Sequence, residues 1–143
     1  MRKGFFIITA VLLVIGIITY LQSSTIAISK ENIIYITITN NCSDEIYGIH
    51  YENKLYERLG IGSIVHADGT LIKMGEVLTI EFTPTNLHKD DLSGFTIEFF
   101  VILEDATEMS CGIPMKLNVE YGGYYGFSLS GNRVSGFKVE KED

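Results

Sequence analysis

The groups from which this sequence could build chemistry are few: Cys42 and Cys111, three histidines (His50, His66, His88), several short acidic runs, and tyrosines. The histidines stand far apart, with no His-x-His or His-Glu-x-x-His spacing, so they do not make a zinc motif. Asp90-Asp91, and separately Glu104-Asp105 with Glu108, offer carboxylate oxygens to Ca²⁺, an ion that takes about six to eight of them. Neither run has the alternating ligands of a calcium loop, so solvated turn residues are the expectation. Gly60-Ile61-Gly62-Ser63 lacks the Gly-x-Ser-x-Gly elbow that exposes a nucleophile. Its Gly-x-Gly is also too short for a dinucleotide fingerprint. No catalytic residue, metal or cofactor is therefore expected. A small envelope hydrolase or metal-dependent enzyme is the alternative, and clustering of Ser63, His66 or the acidic loops in one cleft would favour it.

Spacing leaves the cysteines open between a disulfide and two separate thiols. A bridge between Cys42 and Cys111 would close a loop of about 70 residues and stabilise the fold by roughly 4 kcal/mol on loop entropy. The tyrosines are the better candidates for contact with a partner, since they bring apolar area and a polar tip together. Tyr121, Tyr124 and Tyr125 form the expected contact surface. Tyr124 and Tyr125 are neighbours, so in a strand only one of them faces outward, and that one is the first choice. A protein or another envelope component is the expected partner, and a structural spacer with no ligand is the further alternative.

The elements that would position these groups begin with a membrane segment. Met1-Arg2-Lys3 is basic, and Gly4 to Leu21 contains no charged residue. As a helix those residues span about 27 Å, close to the hydrocarbon thickness of a bilayer. Arg2 and Lys3 place the N-terminus (1–3) in the cytoplasm by the positive-inside rule. The reading is a single-pass signal-anchor at 4–21, a linker at 22–30, an extracytoplasmic domain at 31–139 and a fraying tail at 140–143. A removed signal peptide competes with it, but the apolar core is longer than such peptides carry. Lys3-Gly4-Phe5 also looks like the processing site of type IV pilins, although Thr9 stands where that family has Glu.

Beyond the anchor lie all 18 acidic residues and only 9 of the 11 basic ones, a balance of about −9. Such a surface disfavours nucleic acid and adsorption to anionic lipid, both of which need basic patches. The domain reads as all-β. Residues 33–39, 46–52, 55–66, 77–82, 95–103, a stretch within 109–120, 124–130 and 133–139 alternate or are rich in β-branched and aromatic residues. Turns are expected at Asn40 to Glu45, at Asn53-Lys54, at Asp68-Gly69, at Lys73 to Glu76 and at Gly131-Asn132. Gly60 and Gly62 within a strand signal a bulge or a close approach. Residues 83–94 are unpatterned and are expected to cross between sheets. About eight strands with regular turns predict an antiparallel β-sandwich, immunoglobulin-like in architecture but without the Trp of true immunoglobulin cores.

Several stretches occur in one order: Asp44-Glu45-Ile46-Tyr47-Gly48-Ile49, His66-Ala67-Asp68-Gly69-Thr70, Lys73-Met74-Gly75-Glu76, Asp91 to Phe100, and Glu120-Tyr121-Gly122-Gly123-Tyr124-Tyr125. Together they resemble a family of small, uncharacterised, membrane-anchored cell-envelope β domains of Gram-positive bacteria, over roughly residues 33–139. The resemblance implies an envelope location and a β fold. It implies no activity, because that family has none assigned.

Overall fold

The computed structural model describes residues 32–87 and 91–142. The expected anchor and linker, His88, Asp90 and Asp143 lie outside the described residues. The strands are β1 (Ile34–Cys42), β2 (Gly48–Leu55), β3 (Arg58–Val65), β4 (Val77–Phe82), β5 (Thr96–Ile102), β6 (Glu108–Ser110), β7 (Met115–Lys116), β8 (Tyr124–Asn132) and β9 (Gly136–Lys141). One short helix, α1 (Pro84–Leu87), follows β4. Two sheets form, β4-β1-β8-β9 and β3-β2-β5-β6, with β7 also paired to β5.

The period-2 patterns explain why these segments are strands. In β1, Ile34, Ile36, Ile38 and Asn40 are buried while Tyr35, Thr37 and Thr39 alternate outward. In β4 the buried set is Leu78, Ile80 and Phe82, and in β5 it is Ile97, Phe99 and Val101. Phe99 meets Phe127 of the opposite sheet, with ring centroids 5.9 Å apart, so the inner faces of the two sheets share one core.

The turns at Asp68-Gly69 and at Lys73 to Glu76 form where expected, Gly69 N donating to His66 O and Glu76 N to Lys73 O, while the other three depart from the expected places, each for a local reason. The first hairpin turns at Tyr56-Glu57, not at Asn53-Lys54, because Leu55 is buried and must stay in register opposite Arg58. Tyr56 supplies the positive φ of 57° that a two-residue turn needs. His50 consequently pairs with Ser63. Asn40 and Asn41 belong to β1 and are not part of the turn that follows. The strand expected within 109–120 is two fragments, β6 and β7. Between them Gly112 takes φ 120° and Pro114 has no N–H to give a ladder. The last hairpin turns at 133–135, where the Asn132 Oδ1 accepts the backbone N–H groups of Val134 and Ser135 at 2.9 and 2.8 Å. The tail is pinned as far as Glu142, whose N–H donates to Gly126 O at 2.9 Å.

One pairing corrects the antiparallel expectation. β1 and β8 are parallel, Tyr35 opposite Tyr124 through Cys42 opposite Gly131. The chain comes back from the second sheet through residues 117–123 and enters beside the start of β1. There Gly122 N donates to Ile33 O and Tyr35 N to Gly123 O, at 3.0 and 2.9 Å. β4 and β5 lie in different sheets, so the chain does cross between sheets after β4, as expected.

Candidate binding cleft

The concavity most equipped for a ligand opens where the two sheets present neighbouring edges, β3 from one and β4 from the other. It has a volume of about 610 Å³. Its base is built by β2, whose inner face carries Tyr51 and Asn53, and by Phe82 at the end of β4. Tyr51 meets Phe82 edge-on, with centroids 5.7 Å apart. Gly60 and Gly62 on β3 make room for these side chains. A Cβ on Gly62 would fall 2.2 Å from the Tyr51 Oη, and one on Gly60 would fall 2.5 Å from the Asn53 Oδ1. The glycines expected to mark a bulge or a close approach therefore mark a close approach. Arg58 and Glu81 flank the opening with opposite charges.

The far wall is α1. Thr83 caps it, its hydroxyl donating to the Asn86 Oδ1 at 2.7 Å while the Asn86 N–H points back to the Thr83 Oγ1 at 3.3 Å. Pro84 then opens the helix at the position where a missing N–H costs nothing. Leu87, 3% exposed, anchors the turn in the core.

Asn53 is the unusual residue here. It is 7% exposed and lines the cleft, yet its carboxamide makes no hydrogen bond among the described residues. Its amide atoms still reach the water of the cleft, since among the described residues the buried side-chain polar atom left without a partner is His50 Nε2, so the carboxamide is free to exchange water for a polar contact. Sequence reading missed Asn53 as a binding group, having assigned it to a turn. The signal that could have found it is the pair of glycines seven and nine positions later, which leave a bare strand opposite.

From Glu81 a row of side chains runs across the outer face of the first sheet. Glu81 is opposite Tyr35, and Tyr35 is opposite Tyr124. The two tyrosine rings stack at 4.6 Å and 8°. The Tyr35 hydroxyl is pushed above its ordinary value by desolvation first, then by Tyr124 and Glu81. Tyr124, 73% exposed, is the outward member of the 124–125 pair. Tyr125 turns toward the core, and its Oη accepts the Glu120 N–H at 2.9 Å. Tyr121 also packs against the core. Of the three expected contact residues, Tyr124 alone presents its ring to solvent.

The remaining polar groups go elsewhere. His66 links Glu76 (Nε2 to Oε1, 2.7 Å) and Thr70 (Nδ1 to Oγ1, 2.9 Å), and the Thr70 hydroxyl donates to the Asp68 Oδ1 at 2.7 Å. Glu76 also accepts the Lys73 N–H, the foremost cause of its lowered pKa. These bonds tie one loop together and do not involve Ser63. His50 Nδ1 meets the Glu108 Oε1 at 2.9 Å, while its Nε2 is buried without a partner among the described residues. Among the described residues no three His, Cys, Asp or Glu side chains converge as metal ligands. Cys42 and Cys111 are free, buried thiols. Burial pushes Cys42 up to about 11, with Asp44 adding to it. Burial pushes Cys111 up to about 12, with Cys42 the next cause.

No family model matches the chain, and no curated protein matches it in sequence. Among solved structures, the human-specific toxin intermedilysin is similar over 77% of this chain at 11% identity, with a TM-score of 0.39. The chain spans only 23% of that toxin's length. The membrane-binding domain of pneumolysin is similar over 78% of this chain and 96% of its own, at 9% identity and a TM-score of 0.41. Likeness of that extent carries nothing about what this chain binds.

Proposed function

We propose that this chain is a membrane-tethered, extracytoplasmic binding module without a catalytic step, and that its ligand occupies the cleft between β3 and β4. The observation that carries this reading is Asn53, whose carboxamide has no protein partner among the described residues and opens into a concave, aromatic-floored site. A ligand donor or acceptor would take the place of the water that the amide meets there. The tether rests on Arg2, Lys3 and the uncharged run from Gly4 to Leu21. Against a hydrolase, Ser63 on β3 makes no hydrogen bond to the Nε2 of His50 opposite it on β2, and His66 is engaged with Glu76 and Thr70.

The test is a thermal-shift screen of the full chain in detergent micelles. It compares wild type with Asn53→Leu against Ca²⁺, Zn²⁺, peptidoglycan fragments, common sugars and short peptides. A ligand at 100 times its Kd adds about 2.7 kcal/mol, several degrees for a domain of this size. The expected result is a shift in wild type that Asn53→Leu loses. Equal shifts in both proteins move the site away from the cleft, and a panel flat throughout favours the spacer.

A further inference from the structure

Resting on that cleft as the binding site, we infer that its ligand is an extended polypeptide segment that adds as a strand to the open edge of β3. The partner segment is uncharged or basic, apolar on one face and carrying amide or hydroxyl side chains on the other.

The backbone supplies the first reason. Among the described residues β3 pairs only with β2, which leaves its second edge open. The two-residue turn makes Leu55 and Arg58 the closing hydrogen-bonded pair, and the alternation of an antiparallel ladder fixes the rest. Arg58, Gly60, Gly62 and Ile64 direct their N–H and C=O groups to β2. Leu59, Ile61, Ser63 and Val65 direct theirs to the empty side.

The side chains give the second reason. Edge strands are ordinarily protected by charge, proline, a bulge or shortness. β9 carries Lys138, Glu140 and Lys141, β6 and β7 are three and two residues long, and β4 carries Glu81. β3 is eight residues long and has no charge or proline from Leu59 to Val65. Leu59, Ile61 and Val65 stand in one row at 58%, 63% and 56% exposure, an apolar face for an incoming strand.

The inner face distinguishes this edge from a merely sticky one. Cross-strand rows run Asn53 to Gly60 and Tyr51 to Gly62. Because both glycines are bare, the Asn53 amide lies over Gly60 toward the free edge. The residue that an added strand places opposite Gly60 continues the same row and can reach that amide. A second copy of β3 cannot do this at full overlap, since pairing Leu59 with Val65 puts Ile64 opposite Gly60. The charge balance of −7 over the whole chain disfavours an acidic segment, the charges of Arg58 and Glu81 at the opening offsetting each other.

The experiment titrates fluorescein-labelled, end-capped peptides of sequence Lys-Val-Thr-Val-Asn-Val-Thr-Lys into the full chain in detergent micelles, read by anisotropy. Companion peptides have Glu in place of both Lys, or N-methyl groups on alternate amides in one phase or the other. Saturable binding is expected for the Lys-flanked peptide, weaker binding for the Glu-flanked one, and a gap that narrows in salt. Methylation in one phase should weaken binding at least tenfold and in the other far less, because only one set of amides faces β3. Ile61→Pro removes a donor on the free side and no bond to β2, so it should also weaken binding at least tenfold. The methylated peptides keep the test valid should that variant misfold. Absence of binding by all the peptides would overturn the inference. If Asn53→Leu abolishes binding while both methylation phases and Ile61→Pro stay within twofold of the parent, strand addition fails and the cleft stands. Peptide-independent dimers that Ile61→Pro dissolves would identify a second copy as the occupant instead.

Discussion

Asn40→Ala tests whether the buried polar group of β1 holds the fold together. Asn40 is 1% exposed. Its Nδ2 donates to Ile72 O at 2.9 Å and Lys73 O at 3.2 Å, and its Oδ1 accepts the Cys42 N–H at 3.0 Å. Two carbonyls on one side and an N–H on the other allow only one orientation of the amide. Truncation removes three hydrogen bonds at about 1 kcal/mol each, so the expected loss is about 3 kcal/mol. At about 4 °C per kcal/mol for a domain of this size, Tm falls by roughly 12 °C. The assay is thermal circular dichroism of the full chain in micelles. Asn41→Ala is the neighbouring control: Asn41 is exposed and has a single bond to the Ser128 Oγ at 2.8 Å, so it should shift by about 2 °C or less. A loss in Asn40→Ala below about 1 kcal/mol, or equal to that of the control, would refute the reasoning.

Further outcomes follow from the same physical terms. Asn53→Leu should leave the stability of the ligand-free chain within about 1 kcal/mol, since the amide it removes bonds to water in the cleft; a larger loss by thermal melt would show that the amide has a protein partner. Gly62→Ala should destabilise by about 1–3 kcal/mol, because its Cβ needs the space that the Tyr51 ring occupies; an unchanged melt would mean that the ring moves freely. Tyr124→Ala should leave stability within about 0.5 kcal/mol and weaken any ligand long enough to pass Glu81, with unaltered affinity removing Tyr124 from the site. The thiols set an alkaline limit. Their folded values of about 11 and about 12 lie above the ordinary 9.0, so the folded state holds more protons above pH 9 and stability falls as pH rises through that window. Alkylation should be slow in the native protein and reach two equivalents in non-reducing denaturant, whereas zero equivalents would reveal a bridge between Cys42 and Cys111.

Strand identity was legible because it is written in a local period: Leu78, Ile80 and Phe82 alternate in the sequence as they do in the core. Pairing was not, because the parallel match of β1 to β8 joins residues about ninety apart and leaves no mark on either strand. Turn positions failed where side-chain chemistry and burial disagreed. Asn53-Lys54 has turn composition, but the burial of Leu55 keeps the chain extended past it. Asn40 looked like a loop residue for the same reason, and its amide instead satisfies carbonyls from residues 72 and 73. The choice of Tyr124 over Tyr125 needed the strand's facing, which parity alone does not give. The cleft is a tertiary product of two sheet edges, and among its residues only Gly60 and Gly62 carried a sequence signal.

The partnership of β1 and β8 also sets the order in which the protein can be made. Tyr35 finds Tyr124 only after most of the domain has been synthesised, so the first strand to emerge waits for one of the last. Closing a loop of that length costs conformational entropy before any contact repays it, and folding dominated by such distant pairings takes about milliseconds to seconds. Synthesis at about 5–20 residues per second leaves the β8 edge of β1 open for several seconds, even once β4 has paired with its other edge. Until β8 arrives one edge of β1 stays open to mispairing, and shielding that edge becomes a task of biogenesis.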